Sequence, residues 1–231
     1  MGAAGYDCSI IDLEHGAGNE QDAVLQMQAL AVSGCTALVR VESTERQRVH
    51  RVLDFGAHGV MFPRIDSVAQ AEAAVAAMRY PPAGVRGVAS SNRACAYGAN
   101  FRPYLAASAD LFTIIQIESA SALEHVESIA AADGVDMLFL GPWDLSFAMG
   151  ILGEFDRPEF AEALQRTAKA ASKHGKHSGI LLPAGYTVAA CHSLGYRLIV
   201  AGADVMLLDQ AARALVQSLQ NQRAALPRSN R

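Results

Sequence analysis

Two acidic residues stand directly after consecutive apolar runs. Glu118 closes Gln116-Ile117-Glu118, and Asp144 closes Gly141-Pro142-Trp143-Asp144. If those runs are adjacent strands, the two carboxylates become neighbours in space. Two carboxylates with open positions beside them suit a hard or intermediate divalent ion such as Mg2+, Mn2+ or Co2+. A structural zinc site would instead ask for Cys and His. Such an ion chelates an α-keto acid and, as a Lewis acid, stabilises an enolate oxygen. The same two residues would equally serve as caps of the helices after their strands.

A second group lies at the end of the first apolar run, Asp12-Leu13-Glu14-His15. A carboxylate near an imidazole can fix its tautomer and raise its basicity, which makes His15 a candidate general base and Asp12 its orienting partner. A surface-loop histidine is the plainer alternative. Arg40 sits inside Ala37-Leu38-Val39-Arg40-Val41. A charge in so apolar a run is either paired in a structural salt bridge or aimed at an oxyanion. The only lysines, Lys169, Lys173 and Lys176, fall in one helix-to-strand region. Schiff-base chemistry needs a desolvated lysine in the core, so its absence from every strand favours a metal. No Gly-x-Ser-x-Gly elbow occurs, and His50, His125, His174 and His192 read as solvated.

Strands and helices must position these groups. Short apolar runs at Cys8–Asp12, 37–41, Gly59–Phe62, 111–117, Met137–Leu140, 178–182 and 198–201 each end in polar or glycine residues. They read as strands buried on both faces. Ala-rich stretches with helical spacing lie between them, at 19–32, Val68–Met78, 120–131, Pro158–Lys173 and 187–194. Asp66-Ser67 can cap one helix, and Pro158 suits the first turn of another. Strand–helix alternation implies parallel strands with crossovers. Seven strands in 231 residues, about one per 33, match the spacing of a (β/α)8 barrel, whose active sites lie at the C-terminal strand ends. An open doubly wound sheet is the alternative, but no Gly-x-Gly-x-x-Gly follows any strand. The 79–104 segment, with Pro81-Pro82-Ala83-Gly84, reads as a long loop, and long loops are often functional.

Composition sets the outer limits. The chain has 231 residues, 51% hydrophobic and 18% charged, with a formal net charge of −4. No basic stripe points to nucleic acid. No apolar run reaches the ~20 residues of a membrane span, and the opening residues lack a secretory pattern. Cys8, Cys35, Cys95 and Cys191 form no CxxC pair and read as free thiols of a reducing compartment, hence a cytoplasmic protein. We expect one barrel domain over 1–226 and a disordered tail over 227–231.

Several longer motifs, in order, carry a resemblance. They are Ile10-Ile11-Asp12-Leu13-Glu14-His15, Leu38-Val39-Arg40-Val41, Val52-Leu53-Asp54-Phe55-Gly56, Arg79-Tyr80-Pro81-Pro82-Ala83-Gly84-Val85-Arg86-Gly87-Val88, Ile115-Gln116-Ile117-Glu118, Gly141-Pro142-Trp143-Asp144-Leu145-Ser146 and Ser178-Gly179-Ile180-Leu181. From Asp7 to about Leu219 the chain resembles the HpcH/HpaI aldolases, class II, metal-dependent 2-keto-3-deoxy acid (pyruvate) aldolases. The resemblance implies a TIM-type barrel and reversible cleavage of a 4-hydroxy-2-oxo acid to pyruvate and an aldehyde. It implies that Glu118 and Asp144 ligate Mg2+, Mn2+ or Co2+, that His15 with Asp12 is the acid/base group, and that Arg40 holds the pyruvate oxygen. Gln116 and the amides of Trp143 and Asp144 would bind pyruvate, Leu181 would line the aldehyde side, and Asp54 would reach in from a neighbouring subunit. A homo-oligomer, commonly a hexamer with an exchanged last helix, is implied as well.

The chain departs from the pattern in places. The family's first strand and helix have no counterpart before Tyr6-Asp7-Cys8, Leu13 replaces a glycine, Trp143 replaces a small residue, and Arg64 adds a cation. We read these as signs of a different acceptor. Two other functions remain open at this point. One is a CoA-ester lyase or decarboxylating relative with the same enolate chemistry, its phosphates landing on Arg86, Arg93 and Arg102. The other is a non-catalytic, truncated barrel.

Overall fold

Every strand found is parallel to its neighbours, and chain order is spatial order. The computed structural model describes residues 1–226; the predicted tail lies outside the described residues. The strands are β1 (Cys8–Asp12), β2 (Thr36–Arg40), β3 (Gly59–Phe62), β4 (Phe112–Ile117), β5 (Met137–Leu140), β6 (His177–Leu181) and β7 (Leu198–Val200). The sheet runs from β1 to β7, and no described pairing joins β7 back to β1. The architecture shown is therefore a curled, seven-stranded parallel α/β sheet of TIM-barrel type. The chain divides into a unit spanning Met1–Val200 and a second that begins at Ala201.

In the first unit the helices are α1 (Glu20–Ser33), α2 (Arg46–Asp54), α3 (Val68–Met78), α4 (Phe101–Ala107), α5 (Ala120–Glu124), α6 (Val126–Ala131), α7 (Pro142–Ala148), α8 (Pro158–Lys173) and α9 (Val188–Ser193). Local chemistry explains their ends. Asn19 and Asp22 form a capping box at the start of α1, which satisfies otherwise orphaned first-turn amides. Ser67 caps α3 through the amide of Gln70, and Pro158 opens α8. The single helix expected over 120–131 is broken at His125. There the backbone leaves helical geometry (φ −93°, ψ 9°), and both the amide and Nδ1 of His125 turn to the Ser121 carbonyl. Helices α2, α4 and α7 were not evident from periodicity: α2 is mostly polar, and the other two have seven residues each.

Side chains alternate across the strands and build two apolar layers. Outward residues such as Val39, Val60, Phe62, Ile115, Ile117 and Leu138 pack against the helices. Inward residues Leu38, Met61, Ile114, Met137 and Phe139 form an inner cluster with Ile10, Leu181 and Leu198. On the far side Phe160 and Leu164 of α8 join Ile180 and Tyr196, and the buried Tyr196 hydroxyl donates to the Leu164 carbonyl. The long loop is held by Arg86. Its fully buried side chain donates to Asp54 Oδ1 and to the Tyr104 hydroxyl, both at 2.8 Å.

The second unit contains α10 (Asp204–Ala224), a helix none of whose residues is buried.

Gly179 lets the inner layer close. A Cβ there would fall 2.7 Å from Phe139 Cδ2 and 2.9 Å from Met137 Sδ. We expect Gly179→Val to cost about 1–3 kcal/mol through overpacking, read as a lower urea midpoint at unchanged slope.

Candidate functional site

The inward parity that builds the core also sends a row of polar residues to the C-terminal end of the sheet. Asp12 and Arg40 are register partners across β1 and β2. Gln116 lies on the inward face of β4 and Glu118 follows its last residue on the same parity, and Leu181 ends β6. Asp144 lies in the first turn of α7, directly after β5.

Arg40 is paired on nearly every side. Its Nε donates to Asp12 Oδ1 at 2.9 Å and its Nη2 to Asp12 Oδ2 at 2.6 Å; its Nη1 stands 3.3 Å from Glu14 Oε2. The bidentate fork orients both partners. Burial would raise the Asp12 carboxyl, but the Arg40 guanidinium and the amides of His15 and Glu14 outweigh it and hold Asp12 below the ordinary carboxylate range. Asp12 therefore does not orient the His15 ring as expected. Its oxygens serve Arg40 and two backbone amides, and His15 meets it only through the main chain, at 3.3 Å. The carboxylate beside the imidazole is Glu14, 3.8 Å from Nε2, and the ring is largely exposed.

Glu14 is the residue that sequence reasoning passed over. It lay between two residues already singled out, and only the fold shows that it turns inward. Its Oε2 is buried without a hydrogen-bond partner. Burial pushes its carboxyl up, and the charges of Asp12 and Asp144 add to that, against Arg40 and His15.

Glu118 is the most perturbed acid of the group. Burial raises it first, Asp144 and Glu14 push it further, and the Arg64 amide and Arg40 oppose them; the balance places it at about 6. One oxygen accepts from the Arg64 amide at 2.7 Å, and Gln116 Nε2 donates to the other. Arg64 holds its amide there from a left-handed backbone at φ 53°, a conformation that costs a non-glycine residue energy. Glu118 does not cap the following helix; Ser119 does, through the amide of Ala122. The Gln116 Oε1 is buried and unpartnered. Gly141 completes the hollow, since a Cβ there would stand 2.8 Å from Gln116 Nε2 and 3.1 Å from Glu118 Oε2.

This donor set fits a divalent cation. Asp12 and Glu14 pair with Arg40, Asp144 acts on both Glu14 and Glu118, the Gln116 Oε1 has no partner, and the missing Cβ of Gly141 leaves room. Among the described residues no three His, Cys, Asp or Glu side chains converge as a closed ligand set, so the fit is with two carboxylates and open positions.

Around the hollow, Trp143 is exposed and meets Phe155 edge-on at 5.1 Å. The buried Ser146 hydroxyl donates to the Trp143 carbonyl at 2.9 Å and accepts from the Gly153 amide at 3.1 Å. Asp54 lies in the same chain's ion pair with Arg86, and Arg93 donates to the Phe55 carbonyl.

The depressed Asp12 contributes stability that is complete above the unfolded carboxylate value near 4 and is lost as pH falls through the lower folded value. We expect Asp12→Asn to cost about 1.5–3 kcal/mol at pH 7, the worth of a charged hydrogen-bonded partner. The variant should also flatten the wild-type decline below about pH 4. Urea melts across pH test both.

Comparison with known proteins agrees with this architecture. The family described as HpcH/HpaI aldolase/citrate lyase matches residues 1–211. The chain is 40% identical over 224 residues to a hydroxypyruvate/pyruvate aldolase of Paraburkholderia phytofirmans, covering 94% of this chain and 86% of that one. It is 35% identical over 218 residues to a 5-keto-4-deoxy-D-glucarate aldolase of Klebsiella pneumoniae, with 94% and 85% coverage. A crystal structure of an HpcH/HpaI aldolase/citrate lyase family protein from Burkholderia cenocepacia superposes with a TM-score of 0.87 at 40% identity, over 95% of this chain and 88% of that one. A parallel barrel-type sheet with its acids gathered at one end, and a family match over residues 1–211, establish that this chain belongs to the HpcH/HpaI aldolase/citrate lyase family of carbon–carbon lyases.

Proposed function

We propose that the protein is a divalent-metal-dependent class II aldolase that cleaves a 4-hydroxy-2-oxo acid reversibly to pyruvate and an aldehyde. The observation that carries this reading is the excess of inward carboxylates, with Glu118 raised to about 6 by burial and by Asp144 and Glu14. Glu118 and Asp144 would hold Mg2+, Mn2+ or Co2+. A cation bound there supplies Lewis acidity toward a keto oxygen.

The chain's own groups account for the remaining steps. Arg40, kept rigid by Asp12, directs a guanidinium edge toward the oxygen that gains charge as the enolate forms. Gln116 and the first-turn amides of Trp143 and Asp144 would orient the 2-oxo acid, and Leu181 would line the aldehyde side. His15 takes the proton of the 4-hydroxyl. The C3–C4 bond then breaks, the aldehyde leaves, and the bond's electron pair becomes the pyruvate enolate, which takes a proton at C3. In the reverse direction the same group removes a methyl proton of pyruvate.

The CoA-ester reading finds less support. Arg86 is buried in its ion pair with Asp54, which leaves Arg93 and Arg102 of the three expected cations. Assembly is the other part of the proposal. Val205, Leu208, Leu215, Val216 and Leu219 of α10 are all exposed, which supports exchange of this helix with a second copy in a homo-oligomer, a hexamer by resemblance. Asp54, oriented by Arg86, would then serve a neighbouring site.

Pyruvate in D2O should exchange its methyl protons in the presence of Mn2+ and not after chelation. His15→Ala is expected to slow exchange by about 10²–10⁴-fold, and Glu118→Gln to abolish its metal dependence. Exchange unaffected by either change would overturn the mechanism. Gly141→Ala, which fills the hollow, should weaken Mn2+ binding at least tenfold without lowering the melting temperature by more than a few degrees. Leu215→Asp with Leu219→Asp should shift the protein to smaller species on size exclusion.

A further inference from the structure

At the end of the sheet opposite the acids lies a cavity of about 850 Å³ between the C-terminal half of α8, the start of β6 and the turn after α9. Its walls carry Lys169, Lys173, Lys176 and Arg197, with His177 beside them, and no Asp or Glu. In a chain of net charge −4 this is a strong local reversal of sign. Every lysine of the sequence is here. Several arginines elsewhere are neutralised, among them Arg40 by Asp12, Arg48 by Glu20 and Glu42, and Arg86 by Asp54. In the cavity only Lys173 has an acid, Glu127 at 2.8 Å. Arg197 is steadied by the carbonyls of His192 and Tyr196, both at 3.0 Å, which orient it without cancelling its charge. Lys169 and Lys176 have no acidic partner among the described residues. A concave, single-sign surface focuses field and concentrates counter-ions.

We propose that this cavity binds a polyphosphate anion, such as the phosphate chain of a nucleotide or an inorganic polyphosphate. A lone carboxylate would leave most of the charge unmatched, whereas consecutive phosphates present several acceptors to cations spread along a groove. The groove and the acid-rich end are at opposite ends of β6. His177 and Leu181 are its first and last residues, about 13 Å apart at ~3.3 Å per residue. The ligand therefore leaves the acid-rich hollow open.

The test is calorimetric titration of the full chain, with Mg2+ in excess, using tripolyphosphate, ATP and adenosine in separate runs. The double variant Lys169→Ala/Lys176→Ala is the control; both side chains reach solvent and hold no contact the fold needs. Saturable binding of tripolyphosphate, weakened at least tenfold in the variant and by raised salt, is the expected result. Equal affinity for ATP and tripolyphosphate identifies the phosphate chain as the ligand. Tighter ATP binding that the variant also weakens identifies a nucleotide. No saturable binding, or binding equal in the wild type and a variant with an unchanged circular dichroism spectrum and melting temperature, overturns the proposal, as does adenosine binding as tightly as ATP.

Discussion

The two-residue alternation of a strand is the constraint on which the molecule depends. In a parallel sheet with fixed register, each side chain faces either the helices or the interior. Asp12, Arg40, Gln116 and Glu118 fall on the same parity as Ile10, Leu38 and Ile114. One pleat thus makes an oily floor and a charged rim from the same strands. A slip of a single residue in β4 would bury Gln116 and Glu118 against the helix layer and turn Ile115 and Ile117 toward the rim. Core and chemistry are specified together, and neither can drift alone.

The rim is an electrostatic arrangement under tension. Arg40 neutralises Asp12 well and Glu14 partly, while Glu118 is left facing like charges in a dehydrated place. That imbalance gives the hollow its appetite for positive charge. The backbone takes part: Arg64 adopts an unfavourable left-handed turn and in return its amide meets a Glu118 oxygen, so a strained peptide and a crowded carboxylate stabilise each other.

Much of this could be read from the residues alone. Three of the seven strands match in their bounds and the rest within a residue, because doubly buried strands leave short apolar runs that little else imitates. Glu118 and Asp144 stood out as acids just after such runs. What escaped was direction. Nothing in Asp-Leu-Glu-His says which acid faces the imidazole, since that depends on a turn in which backbone amides claim Asp12. Gly141 looked like a strand end, and its role as vacant space needs the neighbouring strand's side chains in place. Helix α2 stayed hidden because its buried stripe of Val49, Val52 and Leu53 is thin beside four arginine and histidine side chains, and periodicity weighs amounts of oiliness rather than geometry.

Ser146 has a wider consequence than its size suggests. Its hydroxyl links the Trp143 carbonyl to the Gly153 amide from beneath, so the peptides that bear Trp143 and Asp144 are braced by the loop behind them. A helix of seven residues is marginal without such packing, and any ligand would then have to restrain it on arrival. With the brace already closed, that loss of freedom belongs to folding rather than to encounter. This edge of the hollow is thus set by the fold itself.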